Sequence, residues 1–285
     1  MPVKLSGFAD EISADFEEQL EGLKENGIEY IEVRGVSGKS ISILDREEMR
    51  VALELLEEHG IKVSAIGSPV GKIQITDDLS EHIKVFENFM AAAEMFGTKY
   101  MRIFSFYIPD KKYDEWRGEV LNRLEKLAEL AAKKNIILCI ENESGLYGES
   151  PERCLDIIRH FKSGVRFIFD PANFIVGGFE PYPDAYEKLA DYIEYMHIKD
   201  ANETGIVPAG FGVGGIKQIL SDLILNRNFG NFLSIEPHLA VFQGLTELGG
   251  AEHIGAKNKF RSREEAFAAA ADALKNILKE IGADF

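Results

Sequence analysis

The sequence predicts a single (β/α)8 TIM barrel that spans residues 1–285. Three observations lead to this prediction: eight short apolar runs of strand type, a helix pattern after each of them, and a chain length within the range of such barrels. An open doubly wound sheet is the alternative, but it is usually shorter than this chain. No linker composition divides the chain, so we expect one domain.

The first half of the chain repeats one unit three times. An amphipathic helix pattern ends in a glycine, and a β-rich run follows within three residues of Gly27, Gly60 and Gly97. Glycine takes the left-handed conformation that closes a helix without steric cost. The glycines lie 33 and 37 residues apart, which is the length of one β-strand with its helix.

The eight predicted strands are apolar along their whole length, which is typical of parallel strands buried on both faces. They are Val3–Phe8, Ile28–Val33, Ile61–Ile66, Tyr100–Phe104, Ile136–Ile140, Val165–Phe169, Ile193–Ile198 and Phe232–Ile235. The predicted helices are Phe16–Asn26, Glu47–His59, Glu81–Phe96, Glu119–Lys134, Glu152–Phe161, Ala185–Asp191, Ile216–Asn226 and Glu264–Ile281. A long segment at about 239–262 follows the last strand with little periodicity, and we expect a lid or an oligomer contact there.

Composition limits the classes of partner. The formal charge of -16 disfavours nucleic acid and anionic membranes, and no apolar run reaches the roughly 20 residues of a membrane span. The only cysteines, Cys139 and Cys154, are too few for a disulfide framework. Asp10 and Glu11 interrupt the N-terminal region before a signal peptide is complete, so the sequence predicts a cytoplasmic protein. The oligomeric state stays open, a homo-oligomer included.

Four consecutive predicted strands end at or next to a residue of a type that commonly binds metal ions. These residues are Glu141, Asp170, His197 and Glu236, and they are 29, 27 and 39 residues apart. Active sites of such barrels lie at the carboxyl ends of the strands, so we expect the four side chains to converge. Three adjacent carboxylates repel one another unless a cation lies between them. Oxygen-rich ligation favours Mn²⁺, with Mg²⁺, Co²⁺ or Zn²⁺ as alternatives.

Several short motifs resemble the xylose isomerase-like barrel superfamily of sugar isomerases and epimerases, in the same order and over nearly the whole chain. They are Ile140-Glu141-Asn142, Phe169-Asp170-Pro171-Ala172-Asn173, His197-Ile198-Lys199-Asp200, Pro208-Ala209-Gly210-Phe211-Gly212 and Ile235-Glu236-Pro237. The resemblance implies that Glu141, Asp170, His197 and Glu236 bind one divalent metal ion. It also implies that Glu141 and Glu236 act as acid and base on either side of a small sugar substrate.

The chain departs from the family pattern at two positions. Asn173 stands where some epimerases have histidine, and Phe211 stands where many relatives have an acidic residue. Asn173 is therefore a candidate for contact with the substrate. Lys199 and His238 follow predicted ligands by two residues and are further candidates, as is Glu143, which orients substrate hydroxyls or lies in a loop. Arg102 on the fourth strand is expected to face inward and to pair with a carboxylate such as Glu32.

The sequence leaves several functions open. The preferred one is a metal-dependent isomerase or epimerase that moves a proton of a keto-sugar derivative through an enediolate. A metal-dependent hydro-lyase acting on a keto-sugar or polyol derivative and a non-catalytic sugar-binding barrel are the alternatives. An endonuclease is disfavoured by the charge and by the absence of histidines at the ends of strands two to four. Gly212, Gly214 and Gly215 offer a weak phosphate-loop pattern after the seventh strand.

Overall fold

Eight parallel strands form the barrel of the computed structural model, which describes residues 2–240 and 260–285. In chain order the strands are β1 Lys4–Gly7, β2 Tyr30–Val33, β3 Lys62–Ile66, β4 Tyr100–Ile103, β5 Ile137–Glu141, β6 Val165–Phe169, β7 Ile193–Ile198 and β8 Phe232–Ile235. From β2 to β8 each strand pairs with the next, and β8 pairs with β1. The remaining edges of β1 and β2 lie side by side. The predicted (β/α)8 TIM barrel is confirmed.

Helices surround the strands. They are α1 Phe16–Glu25, α2 Arg46–His59, α3 Leu79–Phe96, α4 Tyr113–Ala132, α5 Pro151–His160, α6 Pro171–Val176, α7 Tyr186–Leu189, α8 Ile216–Ser221 and α9 Arg263–Ile281. Short antiparallel pairs decorate the loops after β2, at Gly35–Val36 with Lys39–Ser40, and after β7, at Asp200–Asn202 with Gly205–Val207. No helix among the described residues is long and apolar enough to cross a membrane.

Helix ends follow the local chemistry that the sequence contains. Gly60 and Gly97 close α2 and α3 in the left-handed conformation, with φ of 68° and 72°. Asp45 and Glu48 form a complete capping box at the start of α2, and the Ser150 side chain caps α5 ahead of Pro151. These contacts satisfy backbone amides that an isolated helix would leave without partners.

Several helices differ from the sequence-based prediction. Helix α7 ends at Leu189 and α8 at Ser221, because the chain continues there as a 3₁₀ turn at Ala190–Tyr192 and a π turn at Asp222–Asn226. Helix α4 begins at Tyr113, because Tyr113 and Trp116 pack against the core and extend the helix beyond its periodic part. Helix α6 was not predicted. It begins directly after Asp170, whose side chain accepts a hydrogen bond from the Asn173 amide, with Pro171 at the first helical position. The predicted loop at about 239–262 lies mostly in residues 241–259, outside the described part of the chain.

Candidate metal centre

Four predicted ligands meet at the carboxyl ends of β5 to β8. Glu141, Asp170, His197 and Glu236 are fully buried, and each offers one ligand atom within 4.8 Å of all the others. Divalent ions such as Mg²⁺ bind oxygen at about 2.1 Å, so donors on opposite sides of one ion are about 4 Å apart. The four side chains therefore have the spacing of a single metal site.

Glu141 and His197 each direct one polar atom toward the other predicted ligands and bond a neighbouring protein side chain with the second. Glu141 Oε1 lies 2.8 Å from His197 Nδ1, while Glu141 Oε2 accepts a hydrogen bond of 3.1 Å from Arg102. His197 Nε2 lies on the far side of the ring, 3.1 Å from Glu32 Oε2. Because a carboxylate oxygen only accepts, His197 Nε2 donates a hydrogen bond to Glu32 and His197 Nδ1 donates one to Glu141. The Nδ1 proton is the one that a bound metal ion would replace.

Asp170 and Glu236 show the same division between their two oxygens. Asp170 Oδ1 caps α6, whereas the buried Asp170 Oδ2 has no hydrogen-bond partner. The ammonium of Lys199 lies 2.8 Å from that oxygen without the geometry of a hydrogen bond. Glu236 Oε1 accepts from Arg34 and Arg102 at 3.2 Å each, and Glu236 Oε2 accepts from Lys199 at 3.0 Å. Asp170 Oδ2 and Glu236 Oε2 thus face the centre, where the Lys199 ammonium lies against both.

Glu32 and Tyr195 support His197 from the barrel interior. Glu32 is fully buried on β2 and accepts from the Tyr195 hydroxyl at 3.0 Å as well as from His197. Metal-binding histidines usually donate their second N–H to a carboxylate or carbonyl, which fixes the ring and the tautomer. The Phe8 ring meets the His197 ring edge-on at 5.1 Å and restricts its rotation.

Three cations surround the carboxylates. Arg102 is 2% exposed and reaches both Glu141 and Glu236 with the same nitrogen. Arg34 makes two hydrogen bonds to Asp10 and one to Glu236, and Lys199 bridges Asp170 and Glu236. Phe8 lies between the two guanidinium groups, 4.5 Å from that of Arg34 and 5.0 Å from that of Arg102.

The close charges shift the pKa values of the carboxyl groups in the centre. Burial alone would raise the pKa of Glu141, but His197 and Arg102 outweigh it and lower that pKa to about 2. Burial, reinforced by Glu141 and Glu236, outweighs Lys199 and raises the pKa of Asp170 to about 7. The carboxylates therefore act on one another as like charges at short range, which a bound cation would relieve.

These observations fit a divalent metal. Asp170 Oδ2, which accepts no hydrogen bond, points into the same small volume as Glu141 Oε1, Glu236 Oε2 and His197 Nδ1. Three carboxylate oxygens and one imidazole nitrogen form a hard donor set. Such a set suits Mn²⁺, Mg²⁺ or Co²⁺, whereas thiolate ligands suit softer metal ions.

The predicted substrate contacts lie around this centre. Asn173 donates to Glu141 Oε1 at 3.2 Å, so it also orients a predicted ligand. Glu143 is 23% exposed and pairs with Lys72 at 2.6 Å. Lys199 contacts two predicted ligands, and His238 Nε2 lies 3.5 Å from both Glu11 and Glu236. All four predicted residues are therefore within the site or at its edge.

One sequence-based expectation was wrong, and the weak phosphate-loop pattern has another role. Arg102 faces inward as expected, but it pairs with Glu141 and Glu236 rather than with Glu32, because Glu32 is held by His197 and Tyr195. The amides of Gly212 and Gly214 do not present a phosphate loop. They donate to the buried carboxylate of Asp200 at 3.1 and 2.9 Å, so this side chain already occupies the place of an anion.

Sequence reasoning did not assign roles to Glu32, Arg34 and Glu11 in the centre. Glu32 lies between Ile31 and Val33 in an apolar strand, and a charge in a buried strand is a signal that it has a partner. Glu11 accepts the His238 amide at 2.8 Å, and burial raises the pKa of Glu11 to about 8 despite the opposing effect of Arg34. Nothing in the local pattern around Glu11 distinguishes it from a surface acid.

Comparisons with known proteins agree with this architecture. A family model described as xylose isomerase-like TIM barrel matches residues 20–248. No curated protein sequence matches the chain significantly. Among solved structures, the probable 3-DHS dehydratase AsbF from Bacillus anthracis is 19% identical, with a TM-score of 0.73 over 97% of this chain and 99% of that one.

Two further structures have a similar degree of likeness. A D-allulose 3-epimerase from Methylomonas sp. is 14% identical, with a TM-score of 0.75 over 97% of this chain and 98% of its own. A xylose isomerase-like TIM barrel protein from Mycobacterium smegmatis, solved in complex with magnesium, is 16% identical, with a TM-score of 0.68 over 99% of this chain and 98% of its own. At these identities the likeness shows the shared fold, and different reactions occur on it.

Proposed function

Because the chain belongs to the xylose isomerase-like TIM barrel family, we propose that it is a divalent-metal-dependent isomerase or epimerase of a small sugar or keto-sugar derivative. The observation that carries this proposal is the convergence of Glu141, Asp170, His197 and Glu236, each with one ligand atom turned to a common point. Burial and the repulsion of Glu141 and Glu236 raise the pKa of Asp170 despite Lys199, and a bound cation would relieve that repulsion.

Glu141, Asp170, His197 and Glu236 would hold the ion, with Mn²⁺ as the preferred metal. When bound, the metal would supply a positive charge that stabilises the negative charge of a deprotonated sugar. Arg102 on β4 fixes the relative positions of Glu141 and Glu236, because one of its guanidinium nitrogens donates to both.

Glu141 and Glu236 are the proposed acid and base. His197 and Arg102 hold the Glu141 carboxyl in its ionised form, and burial, which would raise the pKa of Glu236, is outweighed by Lys199, His238 and His197, so that this pKa lies well below its usual range. An ionised carboxylate accepts a proton from the carbon beside a carbonyl or hydroxyl-bearing centre, and the opposite carboxylate returns one after it has been protonated. Return on the other carbon or face gives an isomer or an epimer.

Four polar side chains at the centre are proposed to contact substrate oxygens: Asn173, Lys199, His238 and Glu143. Lys199 and Asn173 are buried beside the ligands, while Glu143 and His238 retain 23% and 14% exposure. This gradient from the centre to solvent is the arrangement expected for a small polar molecule that enters from the open end of the barrel.

The test has a binding stage and a chemical stage. Mn²⁺ is titrated calorimetrically into chelator-treated wild type and into His197→Ala, and we expect one site per chain that the substitution weakens strongly. Keto-sugars are then screened with the loaded protein in deuterated water. Uptake of deuterium without loss of water supports isomerisation or epimerisation, whereas a product lighter by one water identifies a hydro-lyase. Failure of folded wild type to bind Mn²⁺ would overturn the proposal.

A further inference from the structure

Lys199 occupies the part of the centre that a metal would need. Its side chain is 3% exposed, and its ammonium lies 2.8 Å from Asp170 Oδ2 and 3.0 Å from Glu236 Oε2. These are the oxygens of Asp170 and Glu236 that are not bound by Asn173, Arg34 or Arg102. Lys199 and a dication therefore compete for the same two atoms.

The other oxygens near Lys199 are already engaged. Glu236 Oε1 accepts from two arginines, and Glu143 Oε2 pairs with Lys72 at 2.6 Å. Among the described residues, the carboxylates within ion-pair distance of the Lys199 ammonium are those of Asp170 and Glu236. If a metal takes both oxygens, residues 2–240 and 260–285 offer the ammonium no other carboxylate at that distance. A buried cation without a partner is strongly unfavourable, so the acceptor must come from the bound molecule.

We infer that Lys199 determines specificity for a substrate that carries a carboxylate next to its metal-binding oxygen, such as a sugar acid or a small 2-hydroxy or 2-keto acid. This inference rests on the proposed function and narrows its substrate class. A neutral hydroxyl between the ammonium and a dication would leave two like charges facing each other. A carboxylate satisfies both, because each of its oxygens accepts and its charge offsets the repulsion.

Glycolate and glycolamide provide a matched pair of probes. They have the same shape and hydroxyl group, and they differ in that glycolate is an anion. Each is titrated calorimetrically into Mn²⁺-loaded wild type, Lys199→Met and Lys217→Met. Lys217 is a surface lysine, 54% exposed and paired with Glu280, and it controls for the loss of one positive charge.

We expect loaded wild type and Lys217→Met to bind glycolate more tightly than glycolamide, and Lys199→Met to lose about tenfold or more in glycolate affinity. Glycolamide binding should change little. Lys199→Met should bind Mn²⁺ at least as tightly as wild type, because a competing cation is gone. This last result also separates substrate recognition from a general loss of structure, and Lys199→Arg should restore part of the glycolate preference.

Wild type alone can also overturn the inference, whatever the stability of the variants. If glycolate binds loaded wild type no better than glycolamide does, or if Lys199→Met keeps the preference of wild type, the inference is wrong while the metal site stands. If Mn²⁺ does not bind to wild type, the proposed function fails first. Tight Mn²⁺ binding with glycolate preference that depends on Lys199 supports both.

Discussion

His197 Nε2 lies 3.1 Å from Glu32 Oε2, and this contact joins the second strand to the seventh across the interior of the barrel. The two residues are far apart in sequence, and both are completely buried. By accepting the hydrogen bond from Nε2, Glu32 leaves His197 Nδ1 to face the carboxylates. The orientation of the candidate metal ligand is thus set by a residue that does not itself face the metal position.

Substituting Glu32→Gln tests that relationship. We expect Mn²⁺ affinity to fall by about 10-fold to 100-fold, because the amide is a weaker acceptor and no longer enforces the tautomer. Tyr195→Phe is the matched control, since it removes the other hydrogen bond to Glu32 and leaves His197 in place. Calorimetric titration of both variants gives the affinities. Equal affinities of Glu32→Gln and wild type would show that Glu32 is only a structural partner.

Metal loading should stabilise the fold. At a free Mn²⁺ concentration 100 times the dissociation constant, the free energy of unfolding should rise by about 2.7 kcal/mol, since the folded state binds the ion and the unfolded state does not. Thermal unfolding with metal, without metal and after chelation measures this gain. His197→Ala should show little of it. A gain of equal size in that variant would place the ion elsewhere.

Metal affinity should increase with pH. Burial would lower the pKa of His197, but the surrounding carboxylates outweigh burial and raise it well above its usual value. A histidine with a raised pKa stays protonated through neutral pH, and the ion must displace that proton to bind Nδ1. Calorimetry in buffers of different ionisation enthalpy counts the released protons. Affinity that is independent of pH, with no proton release, would contradict this account.

The two glutamates should both be required for proton transfer. We expect Glu141→Gln and Glu236→Gln each to lower the rate of deuterium uptake by about 10² to 10⁴, because each removes a group that accepts or donates a proton. Mn²⁺ affinity is measured on the same samples, and rates are compared at saturating metal. A variant that is fully loaded yet retains the wild-type exchange rate would exclude its glutamate as acid or base.

The loop after β7 should tolerate no side chain at Gly212. A Cβ placed there would lie 2.2 Å from Asp200 Oδ1 and 2.3 Å from the Ala201 carbonyl oxygen. We expect Gly212→Ala to lower the free energy of unfolding by about 1–3 kcal/mol through overpacking. Gly118→Ala is the control, because Gly118 lies in helix α4 with open space around it and should gain up to about 1 kcal/mol. Denaturant unfolding compares the two. Similar effects at both positions would contradict the role of Asp200.

The fold could be predicted from local patterns in the sequence. Strand and helix periodicity, with glycines such as Gly60 and Gly97 at helix ends, predicted the order of elements, and a barrel is the arrangement that buries eight parallel apolar strands. The four candidate ligands could be found for the same reason, since the carboxyl ends of parallel strands meet at one face. Helix α6 was not predicted because its six residues are too few to show a helical period and its start depends on the Asp170 cap.

Only the tertiary structure decided which atom of each residue bonds to which partner. The sequence by itself determined that Glu141, Asp170, His197 and Glu236 lie at one level of the barrel. It did not determine that Glu32 holds His197 or that Lys199 lies over Asp170 Oδ2. Those pairings depend on rotamers and on the twist that brings β2 opposite β7. Because the energy of a buried charge depends on contacts over a few ångströms, it is set by packing in three dimensions rather than by spacing along the chain.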